Sequence, residues 1–400
     1  MRVRSDVIAG RFEYGVRLTG MSGPATERPW LGQTIGLRQD WAFVEAGIAF
    51  KAEGDLPESM GRFLVRSDVA ITHQAVKAFA EVVGDTDCQW APSGRIGGFI
   101  EQVAFGDDGP WLVYLAPGGS ITHERLQNAP KIEVDPKENT ITVPLSEVHL
   151  GASAIELPFA DRLVMPTGHW LQLLWANLLG LGPFLWRSLM GRNVVEVIFK
   201  GSWAILKAGS FKPERIGAQL GRKGKNCRIH PTAVVEGCWL GDDIEIGAGA
   251  VVRGSVLSDG ATVEDLALVE FSLLSPSARV QRQAMVKFSV LGRGSAAGGL
   301  MQLGLLDKDA ALKRTGVLMD ISFGQGVQVL SDGELWSAPM SMAGVCVGEG
   351  TTVGAGVQVA AGRCLPPGLK IIPGGASTVS RVPEGLSGLV VVADGSLESR

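Results

Sequence analysis

A period of seventeen residues governs the chain from Cys227 to Ser295. Ile229, Ile246, Val263 and Val280 stand in one column. Val235, Val252, Val269 and Val286 stand in a second, and Leu240, Leu257, Leu274 and Leu291 in a third. Successive aliphatics are six, five and six residues apart, and then the cycle restarts. A small residue precedes most of them by two positions, as at Ala250, Ser272 and Cys238; Ile244 is the exception. A fixed period of this kind is the mark of a stacked repeat. Steps of six and five do not keep to one face of a helix at about 3.6 residues per turn. Three short strands per coil, each with one inward aliphatic, predict a triangular prism whose coils bury apolar surface only by stacking. Small residues fit its corners, and glycines such as Gly254 and Gly260 suit corner positions with positive φ.

The segment IHPTAVVEGCWLGDDIEIGAGAVV resembles the hexapeptide-repeat proteins, whose repeat domain is a left-handed parallel β-helix. The resemblance implies that hand; the spacing does not, and right-handed crossovers are the general rule. A looser block at Val347, Val353, Val359, Leu365 and Ile371 again steps by six. Between the two blocks, 296–343 reads as an insertion that interrupts the coils. The prolines of RCLPPGLKIIPGG suit an end cap, so the prism is expected over 223–383, with a disordered tail over 384–400.

Residues 1–160 alternate strand and helix patterns, which predicts a compact α/β domain. Strands are expected at Asp6–Gly10, Arg62–Thr72, Trp111–Ala116 and Thr140–Leu145. Helical spacing appears at Ala42–Phe50 and His73–Val83. Three fragments, in order, resemble the sugar-nucleotide nucleotidyltransferases (NDP-sugar pyrophosphorylases). VIAGRFEYGVRLTGMSGPATERPWL is similar to that family's Gly-rich opening loop. FLVRSDVAIT is similar to a strand whose terminal Asp helps to hold a metal ion. GRIGGFIEQ is similar to a strand–turn ending in a Glu that contacts the sugar. The resemblance implies phosphate binding by Arg17, a Mg²⁺ ligand in Asp68 and a sugar contact in Glu101. A surface Arg17 and a helix-capping Asp68 are the plainer readings.

The departures from that family point to a degenerate domain. Gly10 and Gly15 are separated by RFEY. The lysines expected after Pro29 and after Glu101 are replaced by Trp30 and Gln102. Phosphoryl transfer depends on positioned cations, so a nucleotidyltransferase-like protein is expected, either active with Mg²⁺ or degenerate and binding a nucleotide or sugar nucleotide. Two alternatives stand beside it. A hexapeptide-repeat acyltransferase would use His230 as its base, the one His in the repeat. A non-enzymatic scaffold would use the prism for assembly.

Residues 161–222 read as an apolar helical connector. His169–Gly191 is apolar enough to suggest a membrane, but Gly180, Gly182 and Pro183 are expected to split it into two short helices. Packing, including against a second copy of this chain, is the expected role, ahead of a membrane surface. A net charge of −4 gives no basic field for nucleic acid. Five scattered cysteines, no metal-ligand spacing and no apolar leader in MRVRSDVIAG predict a reducing cytoplasm.

Overall fold

The computed structural model describes residues 6–13, 21, 24–51, 55–107, 109–149, 152–190, 198, 202–203, 206, 220–322, 326–331, 333–374 and 378–400. The chain divides into two compact units, the first ending at Gly180 and the second running from Leu181 to the C-terminus.

The first unit is built on a six-stranded mixed sheet. Its strands are β1 (Val7–Phe12), β2 (Ala49–Lys51), β3 (Gly61–Arg66), β5 (Cys88–Pro92), β6 (Leu112–Leu115) and β7 (Lys131–Val134), in the spatial order β2-β1-β3-β6-β5-β7. A short strand β4 (Val69–Ile71) follows β3 and pairs outside this sheet. β1 runs parallel to both β2 and β3. β6 runs antiparallel to β3 and to β5. Helix α1 (Ile35–Glu45) connects β1 to β2, and α2 (His73–Val82) follows β4. Both begin on a threonine, Thr34 or Thr72, whose hydroxyl accepts a hydrogen bond from the third residue on. The expected α/β character holds, with one shift: the pattern at Ala42–Phe50 covers the end of α1 and the start of β2 rather than one helix.

Helix α5 (Trp170–Met190) is continuous, against the expected break. Gly180 does not end a helix but makes room in one. A Cβ there would lie 3.1 Å from Leu31 Cδ1, so a larger residue would push the Leu31 side chain aside. Pro183 sits inside the helix, where it costs one backbone hydrogen bond without ending it. The polar residues of the apolar run are clamps. Gln172 donates to the carbonyls of Val103 and Ala104 at 3.1 and 3.2 Å. Asn177 accepts from Leu31 N–H at 2.9 Å and donates to Pro29 O at 3.0 Å. Trp170 and Trp175 are buried, while Trp186 is exposed. Among the described residues no helix is long and apolar enough to cross a membrane.

The second unit is a parallel β-helix. Three sheets run its length, and the predicted columns are register partners: Ile229 with Ile246, Val235 with Val252, Leu240 with Leu257. Val252, Val263, Val269, Leu274, Val280 and Leu291 are fully buried in one continuous core. The small residues close the corners by hydrogen bonding. The hydroxyls of Ser255, Ser272 and Ser289 donate to the carbonyls of Arg253, Glu270 and Lys287 at 2.7, 2.8 and 2.6 Å. The Cys238 thiol reaches Glu236 O in the same way at 3.2 Å.

Two expectations about this unit are corrected. The coils do not stop at 296. Strands at Ala296–Ala297, Leu300–Gln302, Leu305–Leu306, Ala311–Leu312 and Val317–Leu318 continue all three sheets. Met285 pairs with Leu300, fifteen residues on rather than seventeen, because the corner at Gly298–Gly299 is two residues shorter. The excursion lies between Leu318 and Cys346 and carries an antiparallel hairpin, Gln328–Ser331 with Glu334–Ser337. The tail is also ordered: Leu389–Ala393 joins the first sheet and pairs with Ser396–Ser399. Val390, Val392 and Leu397 are buried there and close the end of the core.

Candidate functional site

In the first unit the chain leaves β1, returns as β2 on one side of it, and then places β3 on the other side. Such a reversal of strand order opens a crevice outside the carboxyl ends of the two strands, where α/β sheets bind ligands. Phe12 and Arg66, the last residues of β1 and β3, are register partners at this point. Ser67 N–H donates to Phe12 O at 3.1 Å, and the Ser67 hydroxyl donates to Glu13 Oε2 at 2.8 Å.

Asp68 stands here, with its carboxylate occupied. Arg66 Nε donates to Asp68 Oδ1 at 2.6 Å, and Nη2 reaches Oδ2 at 3.2 Å. Arg66 also forks onto Asp107, with Nη1 to Oδ1 at 2.9 Å and a second bond from Nη2. Burial would discharge Arg66, but its bonds to Asp107 and Asp68 outweigh that and raise it above its ordinary range. Burial pushes the Asp68 carboxyl up, and the Arg66 guanidinium works against that shift. The side chains are 3% and 1% exposed. The plainer reading of Asp68 is corrected as well, since Thr72 caps α2.

Glu101 is displaced from its expected role. GRIGGFIEQ does not form a strand–turn; it lies in helix α3 (Gly94–Ala104). Ile96, Gly97, Ile100, Val103 and Ala104 are its buried face, spaced at helical intervals, and Glu101 lies exposed on the opposite side. Arg17 lies outside the described residues. The structure therefore joins Asp68 not to Glu101 but to Arg66 and Asp107. Sequence reasoning passed over both of those. The Arg-x-Asp sequence running from the strand end into the turn was the available signal, since a long guanidinium can reach a carboxylate two residues on.

The position of the family's first lysine is filled by structure. Trp30 is 1% exposed, and its indole N–H points to Ala176 O at 3.4 Å. The residues at this crevice do not fit a Mg²⁺ site. Both Asp68 oxygens face a guanidinium, and among the described residues no cluster of three or more His, Cys, Asp or Glu could hold a metal.

In the second unit His230 is exposed at the edge of a shallow groove of about 570 Å³, lined also by Arg228, Glu245, Glu264, Asp265 and Arg282. Its Nδ1 accepts from Thr232 N–H at 3.2 Å. A backbone N–H can only donate, so neutral His230 carries its proton on Nε2.

No protein-family model matches the chain, and no curated protein matches it. Fifty-four chains of solved structures do. One is the acetyltransferase domain of PglB from Neisseria gonorrhoeae FA1090, at 16% identity and a TM-score of 0.19, covering 34% of this chain and 51% of that one. The chain thus spans about half the length of that structure.

Proposed function

We propose that this chain is a non-catalytic sugar-nucleotide-binding protein, degenerate from the nucleotidyltransferase fold and carried on a left-handed parallel β-helix. The strand reversal at β1 and β3 carries the reading, because it sets the end of β1, Phe12 and Glu13, beside Ser67 at the end of β3. The described groups there are mostly acceptors, Glu13 and Asp107, which suit sugar hydroxyls. Phosphate charge falls to Arg17. Trp30 in place of a lysine, and the closed Arg66–Asp68 pair, support binding without transfer.

A thermal-shift series with nucleoside triphosphates and sugar nucleotides tests this, since a ligand of the native state raises its stability. The expected result is a shift with a sugar nucleotide that persists in EDTA and is lost in Arg17→Ala. No shift with any of them removes the reading. The groove beside His230 supports a second reading, acyl transfer in the β-helix. Acetyl-CoA turnover that disappears in His230→Ala would establish it.

A further inference from the structure

The three outer faces of the prism differ in chemistry. The first is polar, with Arg228, Glu245, Thr262 and Arg279 pointing out from the inward Ile and Val column. The third is apolar but closed: Val256, Leu273, Val290 and Leu305 are at most 3% exposed, and Phe184 packs on Trp239 at 6.3 Å. The second is apolar and open. Its strands turn Val235, Val252, Val269 and Val286 toward the core, the last three fully buried, so the residues on either side of each face outward. One side is a column of Val234, Val251, Leu268 and Met285, with Val234 exposed and the others half-buried.

The other side is a ladder of alternating charge: Glu236, Arg253, Glu270, Lys287. Arg253 bonds Glu236 at 2.8 Å and Glu270 at 3.3 Å, and Lys287 bonds Glu270 at 3.0 Å. Read backwards, minus-plus-minus-plus becomes plus-minus-plus-minus. The ladder is therefore the complement of its own reverse.

We propose that this second face binds a second copy of this chain, antiparallel, about a two-fold axis lying in the interface and crossing the prism between the Arg253 and Glu270 rungs. In that arrangement Glu236 meets Lys287 of the other copy and Arg253 meets Glu270. The apolar column lies on its reversed self, Val234 against Met285 and Val251 against Leu268. A two-fold axis along the prism instead lays the apolar column of one copy over the ladder of the other. Exposed ion pairs contribute little affinity but do set orientation. The apolar column supplies the association, which is reversible because the matched face spans only four rungs at about 4.8 Å each.

Sedimentation velocity over a rising concentration series is the first measurement, with a monomer–dimer equilibrium expected. Leu268→Lys should weaken it by about tenfold or more and leave thermal unfolding in place, because the side chain faces outward. Orientation is read by oxidative cross-linking above the wild-type background. Val234 and Met285 are three coils apart in one chain, about 14 Å, too far for an internal disulfide. Val234→Cys with Met285→Cys should give covalent dimer, and each single variant should not. A cross-link in Val234→Cys alone places Val234 against itself, which the antiparallel arrangement does not do, and overturns the proposal. So does a wild-type protein that stays monomeric throughout the series, or a dimer that Leu268→Lys leaves unchanged.

Discussion

Arg66 grips both carboxylate oxygens of Asp68, in the turn two residues beyond the end of its strand, while its remaining N–H groups hold Asp107 beyond α3. One buried guanidinium thus ties the end of β3 to the segment that follows α3. The Asp68 backbone is fixed as well: its carbonyl accepts from Thr167 N–H at 2.8 Å, just ahead of α5. Removing one partner of a buried pair leaves the other charge uncompensated. Asp68→Asn should therefore cost the first unit about 3 kcal/mol, softened because Asp107 remains. Urea unfolding followed by tryptophan fluorescence measures it. A loss well under about 1 kcal/mol, the level of an exposed pair, would mean that the pair contributes no more than a surface contact.

Asp87 supplies a pH dependence of known sign. Burial works to raise its carboxyl, but Arg125 at 2.6 and 2.9 Å, the Ala116 N–H at 2.9 Å, and the charges of Arg125 and Arg62 outweigh it and hold it below the usual range. A carboxyl depressed on folding contributes stability that is full above its unfolded pKa, about 3.9. That stability is lost as pH falls through the lower folded value. Wild-type stability should hold from neutral pH to about pH 4 on this account and fall steeply below it. Asp87→Asn should be less stable at pH 7 and show a shallower acid limb in pH-resolved denaturation. Parallel acid limbs would exclude the Asp87–Arg125 contact as their source.

The shortened corner at Gly298–Gly299 is a packing constraint. A Cβ on Gly299 would lie 2.0 Å from Gly316 O, and one on Gly298 would lie 2.9 Å from Leu312 O. At Gly299 backbone, not a flexible side chain, stands in the way; at Gly298 the Gln281 side chain is nearer still, at 2.4 Å. Gly299→Ala should destabilise the β-helix by about 2 kcal/mol, where Gly350→Ala, facing open space at φ +65, tests backbone strain alone. Guanidinium melts of the two variants separate crowding from strain; equal losses would place the cost in φ rather than in the corner.

That corner also marks the limit of what the sequence conveys. The seventeen-residue columns predict three sheets and their core side by side, because a stacked repeat must bury the same position in every coil. A two-residue deletion shifts every later column out of frame, so Met301, Leu306 and Leu312 read as irregular although they continue the core. In α5 the glycine at 180 meets Leu31 and the proline at 183 is carried within the helix, tertiary facts with no local trace. The setting of Glu101 differs for a related reason. The apolar spacing of Ile96, Ile100 and Val103 is helical, and the segment folds as that spacing dictates rather than as a strand–turn. Arg66 and Asp107 become partners only when the segment after α3 reaches the end of β3.

Thiol reactivity follows the same division of buried and open positions. Cys238 sits in the hydroxyl column of the β-helix corner, and burial pushes its thiol up to about 12. Cys88 is raised to about 11 by burial and by the charge of Asp87. Cys346 is buried, while Cys227 and Cys364 are partly open. The thiolate is the reactive form, and at pH 8 a thiol titrating near 11 is ionised in about one molecule per thousand. Two of the five thiols should react promptly with an aromatic disulfide reagent in the folded protein, and the other three only in denaturant. Peptide mapping of the labelled protein assigns them. Prompt labelling of Cys238 would show that the corner opens on the timescale of the reaction, and that the coil around Glu236 and Val252 is not the closed unit its hydrogen bonds describe.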